Sequence, residues 1–247
     1  MRPPSDRRTA APRPTRAVFF DAGGTLIHPV PSVGGVYANV TAPLGARIEP
    51  DRFERVLYPI WADYREKAAR DEVPLPTTDA GDLAMWRIMA ERLYEGMPEL
   101  RGVDFERWFV DVYEAFSSGA NWRFFPEVEE TISGLRARGI SVGIVSNWSS
   151  RLGRILEDLA FHDRVDFAVI SAVVGHRKPD PRIFEPALAA SRAKPSEAIH
   201  VGDTYGEDVV GAERAGIRGL LVDRHGISTH GRPEITIPTL LEVLDHL

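Results

Sequence analysis

An aspartate carried to a glycine turn by an apolar strand is well placed to attack a ligand, and Arg16–Ile27, RAVFFDAGGTLI, has that form. The run Ala17–Phe20 reads as a buried β-strand that ends at Asp21, after which Gly23, Gly24 and Thr25 turn the chain away. A carboxylate there faces solvent, is backed by packed hydrocarbon, and has flanking backbone free to approach a ligand closely. The chemistry this suits is phosphoryl transfer, in which a carboxylate nucleophile splits one difficult step into two. The plainer role for the same residue is a turn aspartate, so the chain must offer partners.

Three further stretches do. The apolar run Ile140–Val145 ends in Ser146-Asn147, and the Ser146 hydroxyl can bond a phosphate oxygen or cap the helix that follows. In GHRKPDP, Lys178 stands directly before Pro179 in a loop leading to a helix, where it is either a fixed point charge beside a phosphate or a surface lysine. It is one of only three lysines, with Lys67 and Lys194. Finally, IHVGDTYGEDVVGAERAG ends a strand at Asp203 and sets Asp208 near the start of a helix. Acids suit a helix N-terminus in any case, but two beside a strand end also make oxygen ligands for a hard cation.

These residues need strand ends to converge, and the second half of the chain supplies them. From Pro126 onward helices and strands alternate: helix Pro126–Arg138, strand Ile140–Ser146, helix Ser150–Ala160 and a strand near Phe167–Ser171. Helix Pro181–Ser191, strand Ala198–Gly202, helix Gly206–Ala215, strand Arg218–Val222 and a last helix or turn over Ile237–Leu247 follow. Nearly all-apolar strands between helices predict an α/β fold, a doubly wound, mostly parallel sheet covered on both faces. Ligands in such sheets bind beyond the carboxyl ends of the strands, where every candidate residue falls.

The intervening region has a different rhythm. Pro29, Pro31, Gly34 and Gly35 are expected to break regular structure. Apolar residues spaced by three and four then predict helices over Arg52–Arg70, Asp82–Tyr94 and Asp104–Phe116, the first kinked or broken at Pro59. No strand is expected between residues 36 and 118. The three tryptophans here, Trp61, Trp86 and Trp108, read as the core of this helical module.

Composition narrows the classes. The chain has 247 residues, 43% hydrophobic, enough for a core domain and a smaller one. It has no cysteine, which excludes disulfides, thiolate metal sites and a cysteine nucleophile and fits a cytoplasmic location. A net charge of −6 gives no global attraction for nucleic acid, and no apolar run is long enough to cross a membrane. The basic, proline-rich Met1–Thr15 lacks an apolar stretch and is expected to be a disordered tail rather than a secretory signal.

In this order the four signals resemble the haloacid dehalogenase-like (HAD) hydrolase superfamily: Asp21–Thr25, Ser146, Lys178, and Asp203 with Asp208. The run SNWSSRLGRILEDL…RKPDPRIFEPAL…HVGDTYGEDVVGA looks closest to the branch of haloacid dehalogenase-like hydrolase domain-containing protein 3. The resemblance implies a Rossmann-like core over residues 16–30 and 122–247 with an inserted helical cap over 31–121. It implies a phosphatase acting on a small phosphorylated molecule, with Asp21, Ser146 and Lys178 catalytic and Mg²⁺ held by Asp21, the Gly23 carbonyl, Asp203 and Asp208. Gly24, Thr25 and Asn147 would lie against the substrate, Thr25 mainly fixing the turn.

One position departs from that pattern. Phosphatases of the family carry a second aspartate two residues after the nucleophile, which protonates the leaving oxygen and then activates water. Here that position is Gly23, and general acid–base catalysis contributes about 10²–10⁴-fold. Three readings stand: a phosphatase that works without this acid, on substrates with good leaving groups such as acyl phosphates or with an acid borrowed from His28, Tyr64, Glu66 or Lys67; a dehalogenase or phosphonate-cleaving hydrolase; or a weakly active or non-catalytic phosphate-binding regulator on the same scaffold.

Overall fold

The computed structural model describes residues 14–70, 72–73, 75–227 and 231–247. The expected tail, apart from Pro14 and Thr15, lies outside them. Among the described residues the chain runs β1 (Ala17–Phe20), β2 (Ile27–Pro29), α1 (Val33–Thr41), α2 (Pro50–Ala69), α3 (Asp79–Glu95) and α4 (Phe105–Ala115). It continues through β3 (Trp122–Phe124), α5 (Val128–Ala137), β4 (Ser141–Ser146), α6 (Arg151–Asp158), β5 (Phe167–Ile170) and α7 (Ser171–Val174). The last elements are α8 (Glu185–Ser191), β6 (Ala198–Gly202), α9 (Val210–Arg214), β7 (Arg218–Val222) and β8 (Thr236–Ile237).

Six strands form one sheet in the order β5-β4-β1-β6-β7-β8, all neighbours parallel. The central strand β1 is fully buried and pairs β4 on one side and β6 on the other, because a strand apolar on both faces must be covered on both. Its register sets Phe20 opposite Ile144 and Val201, so Asp21, Ser146 and Asp203 leave neighbouring strands at the same end. That end is where the site forms.

Helices α1 to α4 pack about a core of their own, built on Tyr37, Phe53, Met89, Leu93, Met97 and Trp108. Helix α1 forms where prolines and glycines were expected to prevent it. The Ser32 hydroxyl accepts from the Gly35 amide (3.1 Å), and the Glu54 carboxylate of α2 accepts from the Ser32 hydroxyl (2.6 Å) and the Gly34 amide (2.9 Å). Two of the amides a helix start leaves open are satisfied, and the cap itself is held by Glu54, which outweighs poor propensity. Helix α2 passes through Pro59 uninterrupted. Pro59 faces solvent while Phe53, Leu57, Ile60 and Tyr64 are buried, so the carbonyl freed by the proline is left to water and packing holds the rest.

The short antiparallel pair β2–β3 was not legible in the sequence. It joins the chain's exit from the sheet to its return, with Ile27 opposite Phe124 and Pro29 opposite Trp122. The segment expected as one helix near Gly206–Ala215 begins instead with a wide π turn, Tyr205–Val209, before α9. No helix among the described residues is long and apolar enough to cross a membrane.

Candidate active site

Asp21, Ser146, Lys178 and Asp208 meet in one buried cluster at the carboxyl ends of β1, β4 and β6. Lys178 is 1% exposed, and its ammonium donates to Asp21 Oδ1 (2.6 Å), Asp208 Oδ1 (2.6 Å) and the Val145 carbonyl (2.9 Å). These acceptors match the three donors of a lysine. The Ser146 hydroxyl donates to Asp21 Oδ1 (3.0 Å). A lysine at this depth is expensive unless ionised partners surround it, so a surface role for Lys178 is excluded by its surroundings.

Asp208 is tied down on both oxygens. Oδ1 also accepts from Nε2 of the buried His200 (3.0 Å), and Oδ2 accepts from the Thr204 amide (2.9 Å). Burial lowers the His200 pKa and keeps the ring neutral, so it serves as a hydrogen-bond donor. Burial works to raise Asp208, but the Lys178 charge and then the His200 hydrogen bond outweigh it and hold the carboxyl well below the usual range. Asp208 thus anchors Lys178.

Asp21 behaves oppositely. Burial pushes its carboxyl up to about 7 against the pull of Lys178, with the Asp208 and Asp203 charges adding to the rise. Asp203 is raised to about 6, by burial first and the Asp208 charge second, although it is open to solvent, which softens the effect. Its carboxylate lies against Gly24: a β-carbon there would sit 2.3 Å from Asp203 Oδ2, and Gly24 has φ +76°. Only glycine accommodates both that backbone and that neighbour.

Of the residues expected against a substrate, Gly24 and Asn147 line the cavity and Thr25 does not. Thr25 is fully buried. Asn147 clasps the backbone of Lys178, accepting from its amide (2.7 Å) and donating to its carbonyl (3.0 Å), and also donates to Glu207 (2.8 Å). Arg177 donates to the other Glu207 oxygen (3.3 Å). Asn147 therefore sets the loop that delivers Lys178.

A cavity of about 400 Å³ opens from Asp21, Gly23, Gly24 and Asp203 toward α2, α3 and α4. Trp61 and Trp86, expected as core, line it as a stacked pair with centroids 5.4 Å apart; Trp108 alone of the three is fully buried. Of the four residues proposed as substitute acids, only Tyr64 lines the cavity. His28 packs on Phe125, and Glu66 and Lys67 are engaged on the surface with Arg70 and Asp63.

Two residues that sequence reasoning missed shape the nucleophile's turn. Trp148 stands over Gly23: a β-carbon at position 23 would lie 2.9 Å from Trp148 Cζ3. The Trp148 backbone makes two hydrogen bonds with the Ser171 hydroxyl (3.0 Å each), and its indole packs edge-on against Trp122, 5.2 Å between centroids. The space of the absent second carboxylate is filled with an aromatic ring. Arg224, just beyond β7, donates to the carbonyls of Gly24 and Thr25 (2.8 Å each), pairs with Glu127 (2.7 Å) and stacks on Phe125 (3.6 Å). Its place after a strand end was the signal available.

Arg224→Ala removes two charge-assisted hydrogen bonds and leaves the half-buried Glu127 without its partner, a loss of about 2–3 kcal/mol. Arg224→Lys is expected to recover less than half of it, because an ammonium cannot hold two carbonyls and a carboxylate in one fork. Urea-unfolding midpoints of the two variants check this.

Among the described residues no group of three or more Asp, Glu, His or Cys side chains is arranged to hold a metal ion. Mg²⁺ does not need one, since it is commonly held by one or two carboxylates and keeps several waters. The hard donors here, Asp21, Asp203 and the Gly23 carbonyl, suit it, and a cation between them would offset both the burial that raises the two carboxyls and the Asp208 charge that adds to it.

Comparison with known proteins places this geometry. The family model described as "Hydrolase: haloacid dehalogenase-like hydrolase" matches residues 15–216. Haloacid dehalogenase-like hydrolase domain-containing protein 3 of Bos taurus is 28% identical over 198 residues, 70% of this chain and 78% of that protein. A phosphoserine phosphatase of Thermus thermophilus is 32% identical over 238 residues, 93% and 90% of the two chains. Among solved structures, the magnesium-bound HAD-hydrolase YfnB of Bacillus subtilis superposes with TM-score 0.74 at 16% identity, covering 95% and 99% of the chains. The L-2-haloacid dehalogenase of Xanthobacter autotrophicus with chloropropionic acid covalently bound does so with TM-score 0.66 at 18% identity, covering 94% and 97%. Both structures share the fold.

Proposed function

This chain belongs to the haloacid dehalogenase-like hydrolases, and we propose that it is a Mg²⁺-dependent phosphatase of small phosphorylated molecules that works through an aspartyl-phosphate at Asp21. In this reading residues 16–30 and 122–247 are the catalytic core and residues 31–121 the cap. The observation that carries the proposal is the buried lysine that bridges Asp21 and Asp208, with the Asp203 carboxylate across the Gly24 turn. A nucleophile beside a cation-ready pair of carboxylates is what phosphoryl transfer requires.

An Asp21 oxygen attacks phosphorus, and the bond from phosphorus to the leaving oxygen breaks with its electron pair staying on that oxygen. Lys178 pulls Asp21 toward its ionised form against the effect of burial and, with Ser146, offsets charge on the phosphoryl oxygens. Water then attacks phosphorus, the carboxylate is released, and the water proton passes to solvent. This second departure needs no acid, because the leaving group is itself a carboxylate. Mg²⁺, when bound by Asp21, Asp203 and the Gly23 carbonyl, would supply neutralising charge to the transferring group.

Hydrolysis of acetyl phosphate and p-nitrophenyl phosphate is expected with Mg²⁺ and not with EDTA. The phosphorylated Asp21 is expected to be trapped by borohydride during turnover and read by mass spectrometry. Release of halide from a 2-haloacid in EDTA would replace this reading with a dehalogenase. The ring over Gly23 favours one other outcome, a phosphate-binding regulator, which metal-dependent phosphate binding without turnover would establish.

A further inference from the structure

We propose, resting on the phosphatase reading above, that the alcohol released from the substrate is a neutral phenol: the cavity selects aryl phosphate monoesters. Two independent observations lead there. The first is the wall of the cavity. Beyond the phosphoryl end it is lined by Trp61, Trp86, Trp122, Trp148, Phe109 and Leu57. Flat rings in such a space are stabilised both by apolar burial and by stacked or edge-on contacts worth about 0.5–1.5 kcal/mol each.

Two of the three arginines in that wall are already matched by carboxylates. Arg151 donates to Asp82 (2.6 Å) and lies over the Tyr113 ring (3.7 Å), and Arg177 is held by Glu207. Arg65 also lines the cavity and is exposed to solvent. A phosphorylated amino acid would bring a carboxylate against indole faces, and an unpaired buried charge is costly. This chain therefore parts from phosphoserine, the substrate named for its relative in Thermus thermophilus.

The second observation is Gly23 beneath Trp148. With no carboxylic acid there, and the ring edge 2.9 Å from where a β-carbon would be, the leaving oxygen must depart without a proton from that position. A phenol, with a pKa of about 10 like the tyrosine side chain, leaves as an anion far more readily than an alkyl alcohol, whose pKa is nearer the 15.7 or so of water. The site that lacks the acid is the same site that offers rings to a ring. Trp148 serves both, so it is the residue that sets specificity.

The test compares phenyl phosphate, O-phosphoserine and acetyl phosphate on the full chain with Mg²⁺. kcat/KM for phenyl phosphate is expected to exceed that for phosphoserine at least 100-fold. Trp148→Ala and, as a second variant removed from the turn, Trp86→Ala are each expected to lower the phenyl-to-acetyl ratio about 10-fold. Binding to Asp21→Asn, followed by tryptophan fluorescence, is expected to be at least 10-fold tighter for phenyl phosphate than for inorganic phosphate. Phosphoserine turned over as well as phenyl phosphate, or phenyl phosphate bound no tighter than inorganic phosphate, overturns the aryl selectivity and leaves the phosphatase standing. No turnover of any of the three overturns both.

Discussion

Asp21→Asn and Lys178→Met are each expected to lower phosphate hydrolysis at least about 10³-fold, as loss of a nucleophile or of its charge partner does, yet to move stability in opposite directions. Lys178 is the shared partner of two buried carboxylates, and removing it leaves both in a space that also sees Asp203. Breaking a buried pair in this way costs about 3–5 kcal/mol. A second substitution, Asp208→Asn, should return part of that stability to Lys178→Met and none of the activity.

Asp21→Asn takes away a carboxyl that the metal-free fold holds at a raised pKa, near 7 against 3.8. The sign follows from the proton balance. Between about pH 4 and 7 the unfolded chain has released this proton while the folded chain keeps it, so wild-type stability falls as pH rises through that window. Above pH 7 the full penalty is present, and below about pH 4 it vanishes. Without metal, Asp21→Asn should therefore be more stable than wild type at pH 8 and equal to it near pH 4. Thermal unfolding in EDTA at the two pH values measures this, and destabilisation by Asp21→Asn at pH 8 would show that Asp21 holds the fold together rather than straining it.

The same cluster shows how far a sequence carries such a site. Asp21, Ser146, Lys178 and Asp203 were legible because each follows an apolar strand or a proline-marked loop, and parallel strands bring such positions to one edge. That edge was predictable without a single contact. What fills the space between those positions was not. Trp148 lies two residues beyond Ser146 and reads as any aromatic after a strand; only the path of the backbone swings it over Gly23. Arg224 is another arginine in a chain rich in them until Gly24 and Thr25 turn their carbonyls toward it. Helix α1 likewise depends on Glu54, more than a turn into the next helix, which no local pattern at Ser32–Gly35 announces. Spacing encodes the strand ends, whereas tertiary packing decides which side chain occupies a given few cubic ångströms.

That distinction decides what restoring the missing acid will do. A rise in rate from Gly23→Asp alone would mark the missing acid as the limiting feature. The structure predicts no such rise: the new β-carbon would press on Trp148 Cζ3 at 2.9 Å, where Ser171 fixes the Trp148 backbone and Trp122 packs against its ring. Overpacking of this kind costs about 1–3 kcal/mol, and a carboxyl displaced by the ring cannot reach the leaving oxygen. Gly23→Asp alone should therefore be destabilised with no gain in rate.

Gly23→Asp combined with Trp148→Ala opens the space and supplies the proton. Its natural probe is benzyl phosphate, which keeps a ring for the cavity but leaves as an alkyl alcohol that needs an acid. The double variant should hydrolyse it faster than wild type, with about 10²-fold the low end of what acid–base catalysis contributes. Trp148→Ala by itself should gain nothing, so the two substitutions must be strongly non-additive, as neighbours sharing one space are. A rate increase from Gly23→Asp alone would mean that the indole moves aside at little cost and that Trp148 does not exclude the acid. Additive behaviour of the pair would mean that position 23 and the ring act independently, and the aryl selectivity would then rest on the cavity wall alone.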